Sequence, residues 1–102
     1  MTETELHKQC NEYLRTMGIH FFHLQAGGQH GNKRVQCGGL PDLLLWYRGQ
    51  HCLIELKTLT GKLNDKQREE FKKFFAVGYV VYVCHSFEEF KCVLDEFMKG
   101  KA

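Results

Sequence analysis

The apolar positions of this chain change their period several times, and each change marks an element. Leu6, Cys10, Tyr13, Leu14 and Met17 recur at three- and four-residue steps, which predicts a helix from Thr2 to Met17. Gly18 ends it. Ile19 to Leu24, rich in aromatics and His, predicts a short strand. Gln25 to Gly39 is loop-like, with five glycines and the polar run Gln29-His30-Gly31-Asn32-Lys33-Arg34. Leu40 to Tyr47 is apolar apart from Asp42, Arg48-Gly49-Gln50-His51 is polar, and Cys52 to Lys57 is apolar again but for Glu55 and Lys57. That alternation predicts a β-hairpin. Asn64 caps a second helix running to about Ala76. Tyr79 to Cys84, β-branched and aromatic throughout, is the strongest strand signal. Ser86 caps a last helix with Phe87, Phe90, Val93, Leu94 and Phe97 on its apolar side. The predicted order is α-β-β-β-α-β-α. With strands this short, it implies an α/β fold with one mixed four-stranded sheet flanked by helices on both faces. With 102 residues, the expectation is a single domain, 1–102.

The hairpin holds the informative chemistry. With Gly49 and Gln50 at its tip, Asp42 lies opposite Lys57 and Leu44 opposite Glu55. Side chains alternate faces along a strand, so Asp42, Glu55 and Lys57 share one face. Leu43, Leu45, Ile54 and Leu56 point to the other. A slip of one residue would separate the charges. Ionised side chains are costly to bury unless paired or bound to metal. Two neighbouring carboxylates repel each other, and a divalent cation removes that repulsion. A metal-activated water and a nearby ammonium then make a set of parts for phosphodiester hydrolysis. The alternative is a structural ion pair at a sheet edge.

Gly39-Leu40-Pro41-Asp42-Leu43, then Ile54-Glu55-Leu56-Lys57, then a Gln in the following helix, resembles the PD-(D/E)xK nuclease superfamily, and within it the VRR-Nuc family of stand-alone viral and bacterial domains. The resemblance runs from about Thr2 to Phe97, and the order of elements matches that superfamily's restriction-endonuclease-like core. It implies Asp42 and Glu55 as ligands of Mg²⁺ or Mn²⁺, the Leu56 carbonyl as a further ligand, and Lys57 as the catalytic ammonium. The matching Gln is Gln67. It shares a helix face with Phe71 and Phe74, so its amide points inward and needs partners. It serves either the site or a capping box with Asn64, or both. The family adds an acidic residue from the first helix. At ~100° per residue, Glu3 falls within the sector of Leu6, Cys10 and Leu14, while Glu5 and Glu12 fall opposite. Glu3 is therefore the candidate. A first-turn Glu also simply favours the helix dipole.

Composition adds little beyond this. The net charge of +2 is weak support for a polyanionic partner. Its distribution says more. His30, Lys33 and Arg34 in the glycine-rich loop, with Lys62 after the hairpin, are the candidate DNA contacts. Lys66, Arg68, Lys72 and Lys73 alternate with Asp65, Glu69 and Glu70, the pattern of a solvated helix face. The five cysteines lack zinc-ligand spacing and read as reduced, mostly core thiols in an intracellular compartment. No apolar run is long enough to span a membrane, and nothing suggests an organic cofactor.

The expectation is a metal-dependent, structure-selective DNA endonuclease. The resemblance implies a homodimeric four-way-junction resolvase, in a bacterial cytoplasm and of phage or prophage origin. Two coordinated cuts need two sites related by a two-fold axis, and Phe87, Phe90 and Phe97 are the apolar candidates for that interface. The alternatives are a flap- or nick-processing nuclease and a non-catalytic DNA-binding module on the same fold. A sequence-specific restriction subunit would need a recognition domain for which 102 residues leave no room.

Overall fold

The computed structural model describes residues 2–24 and 39–100. Helix α1 spans Glu3–Met17, and strand β1 spans His20–His23. The hairpin follows as β2 (Leu43–Tyr47) and β3 (Gln50–Leu56). Then come helix α2 (Asp65–Ala76), strand β4 (Val81–Cys84) and helix α3 (Phe87–Met98). The order is the expected α-β-β-β-α-β-α. The four strands form one mixed sheet in the order β1-β2-β3-β4. The first two pairings are antiparallel and β3–β4 is parallel. Parallel neighbours need a crossover connection, and α2 supplies it.

Local chemistry fixes the helix ends. Thr2 and Glu5 form a reciprocal capping box at the start of α1, and Gly18 closes it with φ 72°. Ser86 caps α3 by accepting from the Glu89 N–H at 3.1 Å. β4 is shorter than the expected Tyr79–Cys84. Tyr79 and Val80 stay exposed before the pairing begins.

The hairpin register differs from the expected one. Tyr47 pairs with Gln50 and Leu43 with Ile54, so the tip is Arg48-Gly49 rather than Gly49-Gln50. Both residues carry positive φ, 50° and 81°, as a two-residue type I′ turn requires. The twist of the strands favours this turn over one centred a residue later. The change shifts each cross-strand partner by two, an even number, so every side chain keeps its face.

One face of the sheet carries the core. Leu43, Leu45, Ile54, Leu56 and Cys84 pack against Leu6, Cys10 and Leu14 of α1 and Phe90, Leu94 and Phe97 of α3. Phe90 and Phe97 are thus interior, not interface candidates. Helical periodicity identifies an apolar face but not what covers it. Cys10, Cys52 and Cys84 are buried free thiols, and burial pushes each up to about 12. They are inert core fillers. Cys92 is exposed. Among the described residues, α2 covers the opposite face, and Phe22 and Trp46 are more than a third exposed there. Among the described residues, no helix is long and apolar enough to cross a membrane.

Gly39 sits against α2 at φ 94°, and a Cβ there would meet the Lys66 backbone oxygen at 2.9 Å. Gly49 shares the positive φ but has open space around it. Gly49→Ala should cost about 1 kcal/mol, the backbone term alone. Gly39→Ala should cost about 2–3 kcal/mol, because the strain is joined by a clash with backbone. Urea denaturation of the two variants against the parent checks the difference.

Candidate functional site

Ladder hydrogen bonds continue past the ends of the strands and pin the charged residues. The Leu24 N–H donates to the Asp42 carbonyl at 2.9 Å, and the Lys57 N–H donates to the Cys84 carbonyl at 2.9 Å. Asp42, just before β2, and Glu55 and Lys57, at the end of β3, therefore lie together at one end of the sheet. Asp42 Oδ2 accepts from the Leu56 N–H at 2.8 Å. This places Leu56, whose carbonyl the family resemblance singles out, directly beside Asp42. The Leu56 side chain points into the core and is fully buried.

Glu55 is only 2% exposed. Its Oε2 accepts from Gln67 Nε2 at 3.0 Å and faces Lys57 Nζ at 3.3 Å. Its Oε1 is buried with no hydrogen-bond partner among the described residues. Burial, then the neighbouring Asp42 charge, pushes the Glu55 carboxyl up to about 7, against the pull of Lys57 and Gln67. Burial also raises Asp42. The Leu56 N–H and His7 oppose that shift, and the Glu3 charge adds to it.

Gln67 performs both tasks that its position allowed. Its Oε1 accepts from the Asn64 N–H at 3.0 Å, and its own N–H donates to Asn64 Oδ1 at 2.8 Å, closing the capping box of α2. Its Nε2 is left for Glu55. One amide thus starts the helix and holds the carboxylate.

Glu3 is exposed in the first turn of α1, near enough for its charge to raise Asp42. Among the described residues, no three His, Cys, Asp or Glu side chains converge as a metal cluster. Asp42 and Glu55 are the pair able to hold a cation. A hard divalent ion that keeps several waters and takes one or two carboxylates suits so sparse a set. The donor-free Glu55 Oε1 is the oxygen such an ion would satisfy.

The structure adds one residue that the sequence reading passed over. His7 Nε2 lies 3.6 Å from Asp42 Oδ2, and its ring centroid is 5.9 Å from that of His23. His23 Nε2 in turn lies 3.0 Å from Asn11 Oδ1. His7 follows Glu3 by four positions and so shares its helical sector. The same phase argument, extended from carboxylates to imidazoles, would have found it.

Of the basic residues, His30, Lys33 and Arg34 lie outside the described residues. Lys62 is exposed and in no ion pair among the described residues. The cations of α2 behave as a solvated face. Lys66 and Lys73 both pair with Glu70, at 3.7 and 3.0 Å, and Arg68 pairs with Asp65.

Comparison with known proteins identifies the family. A family model for the VRR-NUC domain matches residues 8–88, most of the chain. The chain belongs to the VRR-NUC family. That is a nuclease family, so this is a nuclease-type domain. The chain is 33% identical over 57 residues to a Fanconi-associated nuclease 1 homolog of Arabidopsis thaliana. That match covers 50% of this chain but spans only 6% of the length of the plant protein. A solved structure described as a VRR_NUC domain superposes with a TM-score of 0.73 at 24% identity, covering 95% of this chain and 99% of that one. A VRR_NUC domain protein superposes at 0.74 and 20% identity, covering 97% and 89%. These likenesses confirm the mixed α/β fold.

The buried carboxylate makes the stability of the metal-free protein fall as pH rises. Glu55 releases its proton near pH 7 in the fold but near 4.5 when unfolded. Between these values the folded chain binds more protons, so each step up in pH favours unfolding. Urea midpoints in chelator should decline between about pH 5 and 7.5, by roughly 2–3 kcal/mol in total. Glu55→Gln should flatten the decline. Gln67→Ala should lose about 1–3 kcal/mol, with the larger loss at pH 8, where the ionised Glu55 has been deprived of its donor.

Proposed function

We propose that the chain is a metal-dependent, structure-selective DNA endonuclease, acting as a homodimer on four-way junctions. The observation that carries the reading is Glu55. A buried carboxylate oxygen without a donor among the described residues, beside a second carboxylate and an ammonium, is costly unless it serves a cation.

In this reading Asp42 and Glu55, with the Leu56 carbonyl, hold Mg²⁺ or Mn²⁺. When bound, the ion stabilises negative charge on the scissile phosphate and makes an adjacent water more acidic. Lys57 sits 3.3 Å from Glu55, where its Nζ orients the attacking water and offsets charge developing on phosphate. Gln67 keeps Glu55 in one rotamer. Glu3 adds a third negative charge at the edge of the site, and His7 stands 3.6 Å from Asp42 Oδ2 in the same helical sector. His30, Lys33 and Arg34 of the glycine-rich loop, together with Lys62, contact the DNA backbone, which implies recognition of shape rather than sequence.

The homodimer follows from the chemistry of paired cuts. One domain of this size carries one such site, and two coordinated incisions need two sites about a two-fold axis. With Phe90 and Phe97 occupied in the core, the exposed apolar side chains among the described residues lie elsewhere, Phe22 and Trp46 on the sheet and Phe75, Val77, Tyr79 and Val80 at and beyond the end of α2. An intracellular, phage- or prophage-encoded role in recombination is the setting that fits such an activity.

Labelled four-way junction, 5′ flap and linear duplex, incubated with Mg²⁺, Mn²⁺ or chelator, test the proposal. Paired metal-dependent cuts in the junction are expected. Lys57→Ala should reduce them roughly 10²–10⁴-fold while leaving DNA binding intact. Cutting of flaps in place of junctions would keep the nuclease and discard the resolvase. Binding without cutting in either metal would leave a DNA-binding module. A second readout needs no turnover. At pH 7.5, Mg²⁺ should raise the denaturation midpoint of the parent protein and fail to raise that of Asp42→Asn.

A further inference from the structure

The sheet face that carries Asp42, Glu55 and Lys57 is lined with exposed aromatic rings on its β1–β2 half. We propose that this half is a stacking platform for unpaired bases of the DNA substrate, within a few nucleotides of the scissile phosphate. The inference rests on the nuclease reading and adds the part of the substrate gripped there, a strand freed from its complement.

Strand register ties the platform to the site. Continuing the pairing of Leu43 with Ile54 by one residue sets Asp42 opposite Glu55. On the same face, the next row along the strands is Phe22, Leu44 and Leu53, and the row after it is His20, Trp46 and His51. Phe22 therefore stands about 7 Å, and Trp46 about 13 Å, along the strands from the row of carboxylates. At a rise of about 3.4 Å per stacked nucleotide, these distances correspond to roughly two to four nucleotides.

Burial falls across this face. Leu53 is buried and Leu44 half-buried, whereas Phe22 and Trp46 are 54% and 37% exposed. What reaches solvent here is flat. The Phe22 and Trp46 rings meet edge to face with centroids 5.3 Å apart, and the exposed His20 ring lies 5.4 Å from each. His51, opposite Trp46 on the other side, is exposed as well. Among the described residues, these two rows carry no carboxylate to repel a phosphate backbone. A base can lie face-on to one ring and edge-on to another, and both arrangements are favourable. Every base has such a face, so the platform serves any sequence. A base still stacked and paired within a duplex has no free face to offer. A second copy of the chain fits the patch less well. The exposed parts of Phe22 and Trp46 amount to roughly 200 Å², whereas a stable dimer buries about 800 Å² on each partner. The smaller area suits a base or two.

Trp46 is the only tryptophan of the chain, so intrinsic emission reports on the patch itself. The full chain, in chelator, is titrated with a forked duplex bearing unpaired arms and with a blunt duplex. The fork should quench Trp46 emission and the blunt duplex should not. Phe22→Leu and Trp46→Leu keep each position apolar but remove the flat face. By anisotropy of labelled DNA, each should bind the fork roughly tenfold more weakly, and unchanged affinity for blunt duplex shows that the variant is folded. Unaltered emission with the fork, equal quenching by blunt duplex, or full fork affinity in both variants would overturn the proposal. Emission that shifts on dilution of the DNA-free protein but not with the fork would also overturn it, and would give the patch to a second copy. Cleavage of the fork in Mg²⁺ or Mn²⁺ separates the two readings. Cutting by the parent without quenching discards the platform and keeps the nuclease. Quenching by the fork alone, without cutting in either metal, keeps the platform and discards the nuclease.

Discussion

The structure is organised around the burial of one carboxylate. Glu55 ends the second hairpin strand on the face that α2 covers, and water scarcely reaches it. A group of this kind is stable as an anion only where donors or cations replace the lost hydration. Gln67 and Lys57 replace part of it, both at the same oxygen. The other oxygen has no partner among the described residues. The backbones of its neighbours Asp42 and Lys57 are fixed by ladder hydrogen bonds just beyond the strands, and the Asp42 carboxylate by the backbone N–H of Leu56. The carboxylates are thus kept close by backbone, against their mutual repulsion.

That rigidity comes from the opposite side of the sheet. The core between α1, α3 and the sheet is apolar and buried, and it includes Leu43, Leu45, Ile54 and Leu56 of the hairpin, with Tyr47 partly buried against it. The α2 side is thinner. Among the described residues, it accommodates Glu55 and Gln67 beneath one twelve-residue helix, and aromatic rings stay exposed at its outer part. Stability and chemistry are divided between the two faces by strand alternation.

Much of this was legible in the sequence, for identifiable reasons. Helix periods and caps located α1, α2 and α3 to within a residue or so, because Thr2, Gly18, Asn64 and Ser86 are specific signals. The convergence of Asp42, Glu55 and Lys57 survived an error in the turn, because a register shifted by two preserves parity and only an odd shift would have parted them. Gln67 was open to two readings, and a side-chain amide has enough atoms to satisfy both. What failed was the inference about covering. Phe90 and Phe97 looked like an interface because periodicity reveals an apolar stripe without naming its neighbour. His7 escaped because its partner Asp42 is 35 positions away in the chain. Glu3 was placed in the correct sector, yet it remains in solvent at the first turn.

The double duty of Gln67 also bears on how the protein comes together. The hairpin is a local structure and closes within microseconds. The β3–β4 pairing spans the whole of α2 and pays a larger closure entropy before any contact rewards it. Because the residue that nucleates α2 is also the residue that grips Glu55, the helix and the charged cluster belong to one cooperative unit. Opening the first turn of α2 releases the carboxylate to water in the same event. Protection of the Gln67 amide against hydrogen exchange therefore reports on the integrity of the cluster as directly as it reports on the helix.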